Sequence, residues 1–286
     1  MKRFIASDGG IIAYRDTGPA HAPSLVLLHG LMAHGGFFRD QESLAKIFRL
    51  IVPDLRGHGS SARSVDTCTV ERAAQDVAEL TEALDLRNAI GVGWSLGATI
   101  LWYLLDGPAA NRFSGAVVVD MTARVRNGDG WELGLSAETC AARSSAMQEN
   151  FVAFAAGAGQ AMFAQPIGDR HKANAEWASD QFARNDPAAI STLWASLEDV
   201  DVRPLLSRIQ QPTLIVHGAQ SSLYGEGTAD HLVTTLPCAR AVRFLRSGHA
   251  PHLEEPELFN RTIRDFAATL PPAISPDDST RNWRIS

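Results

Sequence analysis

The chain has 286 residues, 45% of them hydrophobic, and a net charge of −6. A chain of this length folds as one large domain, or one domain with an insert, and hides about 75% of its unfolded surface. The acidic balance excludes a basic nucleic-acid footprint, and no window gathers the roughly four to eight Lys or Arg of a polybasic membrane patch.

The N-terminus, "MKRFIASDGG", has only three apolar residues between Lys2-Arg3 and Ser7-Asp8-Gly9-Gly10, too few for the core of a signal peptide. Cys68, Cys140 and Cys238 are far apart, odd in number and form no CxxC pair, which reads as buried or inert thiols in a reducing compartment. A cytoplasmic location is expected. Residues 3–16 read as a hairpin about Asp8-Gly9-Gly10. "SLVLLHG" (24–30) is a buried strand ending in a glycine turn, and "LIVPD" (50–54) is another. Between 70 and 86, Val70, Ala74, Val77, Leu80 and Leu84 share a helical face, and Glu71 sits in the first turn, where the helix dipole favours it.

The later runs "AIGVG", "GAVVVD", "TLIVHG" and "AVRFL" are continuously apolar and separated by helical patterns. Such runs predict a mostly parallel sheet covered on both faces. Between Val119 and Thr213 no strand pattern occurs. Residues 136–200 are Ala-rich and helical, with Gly157, Gly159, Pro166 and Pro187 as breaks, which predicts an α-helical insert over the sheet. A last helix starts at Pro256 and buries Phe259, Ile263, Phe266 and Leu270 on one face. From Pro271 an irregular tail is expected.

The stretch "IGVGWSLGATILWYLL" (90–105) carries no charge. It is shorter than a membrane span, and its glycines weaken that reading further. Gly91, Gly93 and Gly97, with Asp120 ending the next strand, resemble a dinucleotide fingerprint. Such a unit usually opens its domain, whereas at least three strands precede this one. Ser95 has a plain reading as a helix cap. It also has a chemical one, because Gly93-Trp94-Ser95-Leu96-Gly97 fits G-x-S-x-G, the sharp strand-to-helix turn that lifts a serine hydroxyl above a sheet edge. The residues two before and two after the serine must be small, and the helix N-terminus aims its positive end at a developing oxyanion. A serine hydroxyl needs a base. In "SGHAPHLEEPELFN", His249 follows the strand 241–245 through a Ser-Gly turn, at the same sheet edge as Ser95.

The pieces "LLHGLMAHGGFF", "LIVPDLRGHGSS", "GWSLG", "PTLIVHG" and "SGHAPHLEEPELFNRTIRDF", in this order over residues 10–270, resemble the α/β-hydrolase superfamily. The resemblance implies an α/β fold with a mostly parallel eight-stranded sheet, helices on both faces and a helical cap after the sixth strand. Residues 1–120 and 211–270 would form the core, 121–210 the cap and 271–286 the tail. It implies Ser95 as nucleophile and His249 as general base, with His252 structural. Leu96 and Leu31 would supply the oxyanion N–H groups, Met32 being the alternative to Leu31, while His29, His58 and Asp54 would brace the loops. In most members an aspartate follows the seventh strand, but "HGAQSSLYGEG" holds Ser221 in that slot. Asp120, at the end of "GAVVVD", is the expected acid; Glu226 is the alternative, and capping of the following turn is the plain reading of Asp120.

Leu31, Trp94, Met121, Trp131, Phe151, Phe154, Met162, Phe163 and Trp194 are candidates for the pocket wall, or equally for cap core. Few charges fall among them, which favours an uncharged, largely apolar acyl or ring substrate. No HExxH, Cys/His cluster or P-loop lysine occurs, so neither metal nor cofactor is expected. The expected activity is hydrolysis of a carboxylic ester, thioester or lactone of a small molecule by a monomer or homodimer, without nucleic-acid or membrane partners. Hydrolysis of C–C bonds, perhydrolase or haloperoxidase chemistry and cofactor-free dioxygenation stay open on this scaffold, as does a non-catalytic ligand receptor. The dioxygenases typically carry a histidine before the serine, where this chain has Trp94.

Overall fold

The computed structural model describes residues 1–61 and 64–271; the tail expected from Pro271 falls, beyond that residue, outside the described residues. Eight strands form one sheet: β1 Lys2–Ile5, β2 Ile11–Thr17, β3 Ser24–Leu28, β4 Arg49–Pro53, β5 Ala89–Trp94, β6 Phe113–Val119, β7 Thr213–Gly218 and β8 Ala239–Phe244. Their order across the sheet is β1-β2-β4-β3-β5-β6-β7-β8. β1 and β2 form the expected hairpin, β2 pairs antiparallel with β4, and every other pairing is parallel. β3, β5 and β7 are buried along their whole length, as their unbroken apolar sequences require of strands covered on both faces.

The helix α1 spans Val70–Ala83, and Thr69 caps it by accepting the Arg72 N–H. It stops before residue 86 because Asp85 turns left-handed, with φ 44°. A 3-10 segment, Gly35–Lys46, fills the β3–β4 connection and is absent from the sequence reading; its Gly-Gly start and irregular apolar spacing hide it. α2 is Leu96–Asp106.

Between β6 and β7, among the described residues, only isolated bridges occur, with no strand. Four helices fill the interval: α3 Ala137–Glu149, α4 Phe151–Ala161, α5 Asp169–Phe182 and α6 Pro187–Asp199; the short α7, Arg203–Leu206, follows. Pro166 lies between α4 and α5, and Pro187 opens α6 behind its cap Asp186. Gly157 and Gly159 do not break a helix: both lie inside α4. Gly159 serves packing, since a Cβ there would stand 2.5 Å from the Ser179 backbone nitrogen of α5. The remaining helices are α8 Glu226–Thr235, α9 Pro251–Glu254 and α10 Pro256–Thr269, the last burying Phe259, Ile263 and Phe266. Cys68 and Cys140 are buried, Cys238 is exposed, and all are free thiols. Among the described residues no helix is long and apolar enough to cross a membrane.

Candidate active site

Ser95 stands between β5 and α2 with φ 53° and ψ −121°, a conformation costly for any residue with a Cβ. The turn is held on both sides: its N–H donates to the Val119 carbonyl at 3.0 Å, and its carbonyl accepts the Ala98 N–H at 2.8 Å. The glycines of G-x-S-x-G provide clearance. A Cβ on Gly93 would stand 2.6 Å from the Ala98 nitrogen, and one on Gly97 would collide with the Leu28 carbonyl.

His249 lies on the loop after β8. Its N–H donates to the Met162 carbonyl (2.8 Å), and its carbonyl accepts the Trp94 indole N–H (2.7 Å). Its ring meets Asp120, the residue after β6, where φ is 46°. Asp120 accepts from four donors: His249 Nδ1–H at 2.7 Å and Ser221 O–H at 2.6 Å on Oδ2, His217 Nδ1–H at 3.1 Å and the Gly218 N–H at 3.3 Å on Oδ1. Burial alone would raise this carboxyl; the bonds from His217, His249 and Ser221 overcome it and hold Asp120 below the usual aspartate range. An ionised Asp120 only accepts, so His249 donates through Nδ1, the tautomer whose neutral ring carries its lone pair on Nε2. The structure therefore brings Asp120 to His249 and leaves Glu226 elsewhere. Glu226 is exposed in the first turn of α8, paired with Arg243 at 2.6 Å. Ser221, in the slot where the resemblance would place an aspartate, donates to Asp120 instead.

Leu31 and Leu96 have backbone N–H groups without a hydrogen-bond partner among the described residues. Met32 cannot take the place of Leu31, because its N–H donates to His58 Nε2 at 3.0 Å. His58 in turn bonds the Arg56 carbonyl through Nδ1, and His29 bridges the Gly30 carbonyl and the Leu55 N–H. Burial pushes both rings down to about 3, so both are neutral braces. Asp54 accepts the Gly35 and Ser60 N–H groups and shapes the same loops. His252 is buried against Trp94, Phe38 and Phe259 with neither ring nitrogen bonded.

A model of the α/β hydrolase fold matches residues 23–256. The chain belongs to the α/β-hydrolase family. It is similar to the pimeloyl-[acyl-carrier protein] methyl ester esterase of Nitrosomonas europaea, 32% identical over 84% of this chain and 93% of that protein. It is 25% identical to 3-oxoadipate enol-lactonase 1 of Acinetobacter baylyi, over 92% of this chain and 95% of that one. An esterase from Exiguobacterium antarcticum superposes with a TM-score of 0.88 at 24% identity, covering 94% of this chain and 99% of the other. The chain is thus an α/β-fold hydrolase of the esterase and lactonase type.

In this hydrolase a cavity of about 80 Å³ opens beside Ser95 and His249. Of the expected wall, Leu31, Trp94, Met162 and Trp194 line it. Met121, Trp131, Phe151, Phe154 and Phe163 do not. Met121 is buried beside Asp120 in the core, and Phe163 stacks on His171. Trp131 bonds the Arg124 carbonyl and packs on His231. The sequence reading missed Arg143, Tyr224, Leu135, Phe182, Leu197 and Leu223. Tyr224 follows the Ser221 slot closely enough to have been found, and Arg143 is a lone cation in the Ala/Ser-rich run "CAARSSAM". Among the described residues no group of His, Cys, Asp or Glu is arranged to hold a metal ion.

Proposed function

We propose that this enzyme is a serine hydrolase that cleaves a carboxylic ester, thioester or lactone of a small molecule through an acyl-enzyme. Ser95 Oγ attacks the carbonyl while His249 Nε2 takes its proton. The N–H groups of Leu31 and Leu96 hold the oxyanion, and His249 then protonates the leaving alcohol. Water, activated by the same imidazole, releases the acid. Residues 1–120 and 211–270 act as the core and 121–210 as a cap over the cavity. The observation that carries the reading is the 2.7 Å bond from His249 Nδ1 to the buried Asp120 carboxylate, beside a cavity lined by Ser95. The small cavity favours short acyl groups. Trp94, in the place of an oxygenase histidine, spends its indole N–H on the His249 carbonyl and offers no base.

An ester and lactone panel tests this on wild type and Ser95→Ala. The variant should lose turnover and labelling by an active-serine phosphonate; hydrolysis that persists in Ser95→Ala would overturn the proposal. The similarity to an enol-lactonase over 92% of the chain supports lactones as a second substrate class, which the same panel separates by their relative kcat/KM.

A further inference from the structure

Arg143, on α3, is partly buried in the cavity wall, and its guanidinium has no ion pair or hydrogen bond among the described residues. Its guanidinium lies 5.9 Å over the Trp194 ring. That ring is fixed in turn: Trp194 Nε1–H donates to Ser144 Oγ at 3.0 Å, and Ser144 donates to the Cys140 carbonyl. Among the described residues no carboxylate lines the cavity. Glu198, on α6, bonds the Cys140 thiol and makes no ion pair with Arg143 among the described residues. A second donor is similarly idle: Tyr224 lines the cavity, its ring 6.0 Å from that of His249, and its hydroxyl has no hydrogen-bond partner among the described residues.

A guanidinium is charged at every physiological pH and presents a planar fork of N–H donors. Against a mostly apolar wall it gains most from an anion that accepts two parallel bonds, and a carboxylate has that geometry. We infer that Arg143, with the Tyr224 hydroxyl, receives a carboxylate carried by the substrate. This replaces the uncharged substrate expected from the sequence. The substrate class becomes a half-ester of a short dicarboxylic acid, or a lactone bearing a free carboxylate. Hydrolysis of the half-ester consumes one water and releases the dicarboxylate, an alcohol and a proton, with no other reactant. The inference rests on the serine-hydrolase proposal for the turnover it predicts, and on the cavity alone for the binding it predicts.

The test compares monomethyl glutarate with its uncharged isostere, methyl 5-methylhexanoate, on wild type, Arg143→Gln and Arg143→Lys. Bonds to a charged group predict that wild type prefers the half-ester by about 10- to 100-fold in kcat/KM, mainly through KM. Arg143→Gln should bring that ratio close to one, and Arg143→Lys should restore part of it. A merely structural Arg143 would lower both esters together and leave the ratio unchanged, which overturns the inference, as does a wild type without preference. Glutarate binding to Ser95→Ala, read as a rise in Tm, is the second arm. It should be lost in Ser95→Ala/Arg143→Gln, and a rise that survives in the double variant also overturns the inference. Hydrolysis persisting in Ser95→Ala overturns the hydrolase proposal instead, and the binding arm then still decides the carboxylate site.

Discussion

Asp120 gathers four donors on two oxygens, His249 among them. Asp120→Asn keeps the shape but turns one oxygen into a donor facing donors, and it cannot hold the His249 tautomer. A fall in kcat of about 10³- to 10⁴-fold is expected, with KM little changed. Ser221 Oγ and His249 Nδ1 contact the same oxygen, at 2.6 and 2.7 Å. A carboxylate at 221 can therefore reach the imidazole. Asp120→Asn/Ser221→Asp should recover at least about tenfold of the lost kcat, and steady-state kinetics showing no recovery would refute that reach. The two histidines of "GHAPH" divide differently. His249→Ala should abolish turnover. The His252 ring has no hydrogen-bond partner among the described residues and is pushed down to about 3, by burial and by His249, from its ordinary 6.5. The unfolded chain thus binds a proton near pH 6.5 that the folded chain refuses until about 3, so this residue removes stability as pH falls through that window. His252→Leu should keep turnover and gain stability over wild type by about 2 kcal/mol at pH 5, with little difference at pH 8. Urea unfolding at the two pH values reads this, and an equal difference at both rejects it.

At the scale of elements, the elbow was legible because its constraint is local. A strained serine needs two small neighbours at fixed offsets, and the chain supplies Gly93 and Gly97. Gly97→Ala would drive a Cβ into the Leu28 carbonyl of β3, backbone that cannot yield. A loss above about 3 kcal/mol in denaturant unfolding is expected, and near-native stability would contradict it. Gly157 is the counter-case. Nothing lies within 4 Å of a Cβ there, and its helix α4 is regular, so Gly157→Ala should stabilise by about 0.5–1 kcal/mol. The sequence offered both α4 glycines as breaks, because helical propensity records the entropy of glycine but not the neighbour that Gly159 admits. The same limit hid the pocket wall. Periodicity shows that α3 and α6 have faces; which face meets the cavity depends on how four inserted helices pack. Trp131 and Phe163 accordingly went into the expected wall and Arg143 stayed out of it.

At the scale of the whole molecule, a contact that no local pattern encodes joins the histidine loop to the inserted helices. Glu254, read only as part of "HLEEP", accepts the Gly248 N–H on one oxygen and the Ala164 N–H on the other, each at 2.7 Å. The His249 N–H adds its bond to the Met162 carbonyl alongside. Ninety residues separate Ala164 from Glu254, so this clamp is visible only in three dimensions. Burial raises the Glu254 carboxyl to about 7, against the N–H bonds from Ala164, Gly248 and Ala250 and with the neighbouring Glu255 adding to the rise. Between about 4.5 and 7 the folded protein then holds a proton that the unfolded chain has released. Its contribution to stability is fully present below about pH 4.5 and is lost as pH rises through about 7. Glu254→Gln cannot ionise and gives up one of the two acceptors, so it should be less stable than wild type at pH 5 by about 1–3 kcal/mol. As pH rises to 8, wild type must ionise its buried carboxyl at a cost of up to about 3 kcal/mol, while the variant stays flat at this position. The stability difference should therefore shrink, or change sign, across pH 5, 6, 7 and 8. Urea unfolding of both proteins at these four values measures it, and a constant difference would show that Glu254 does not titrate in this range.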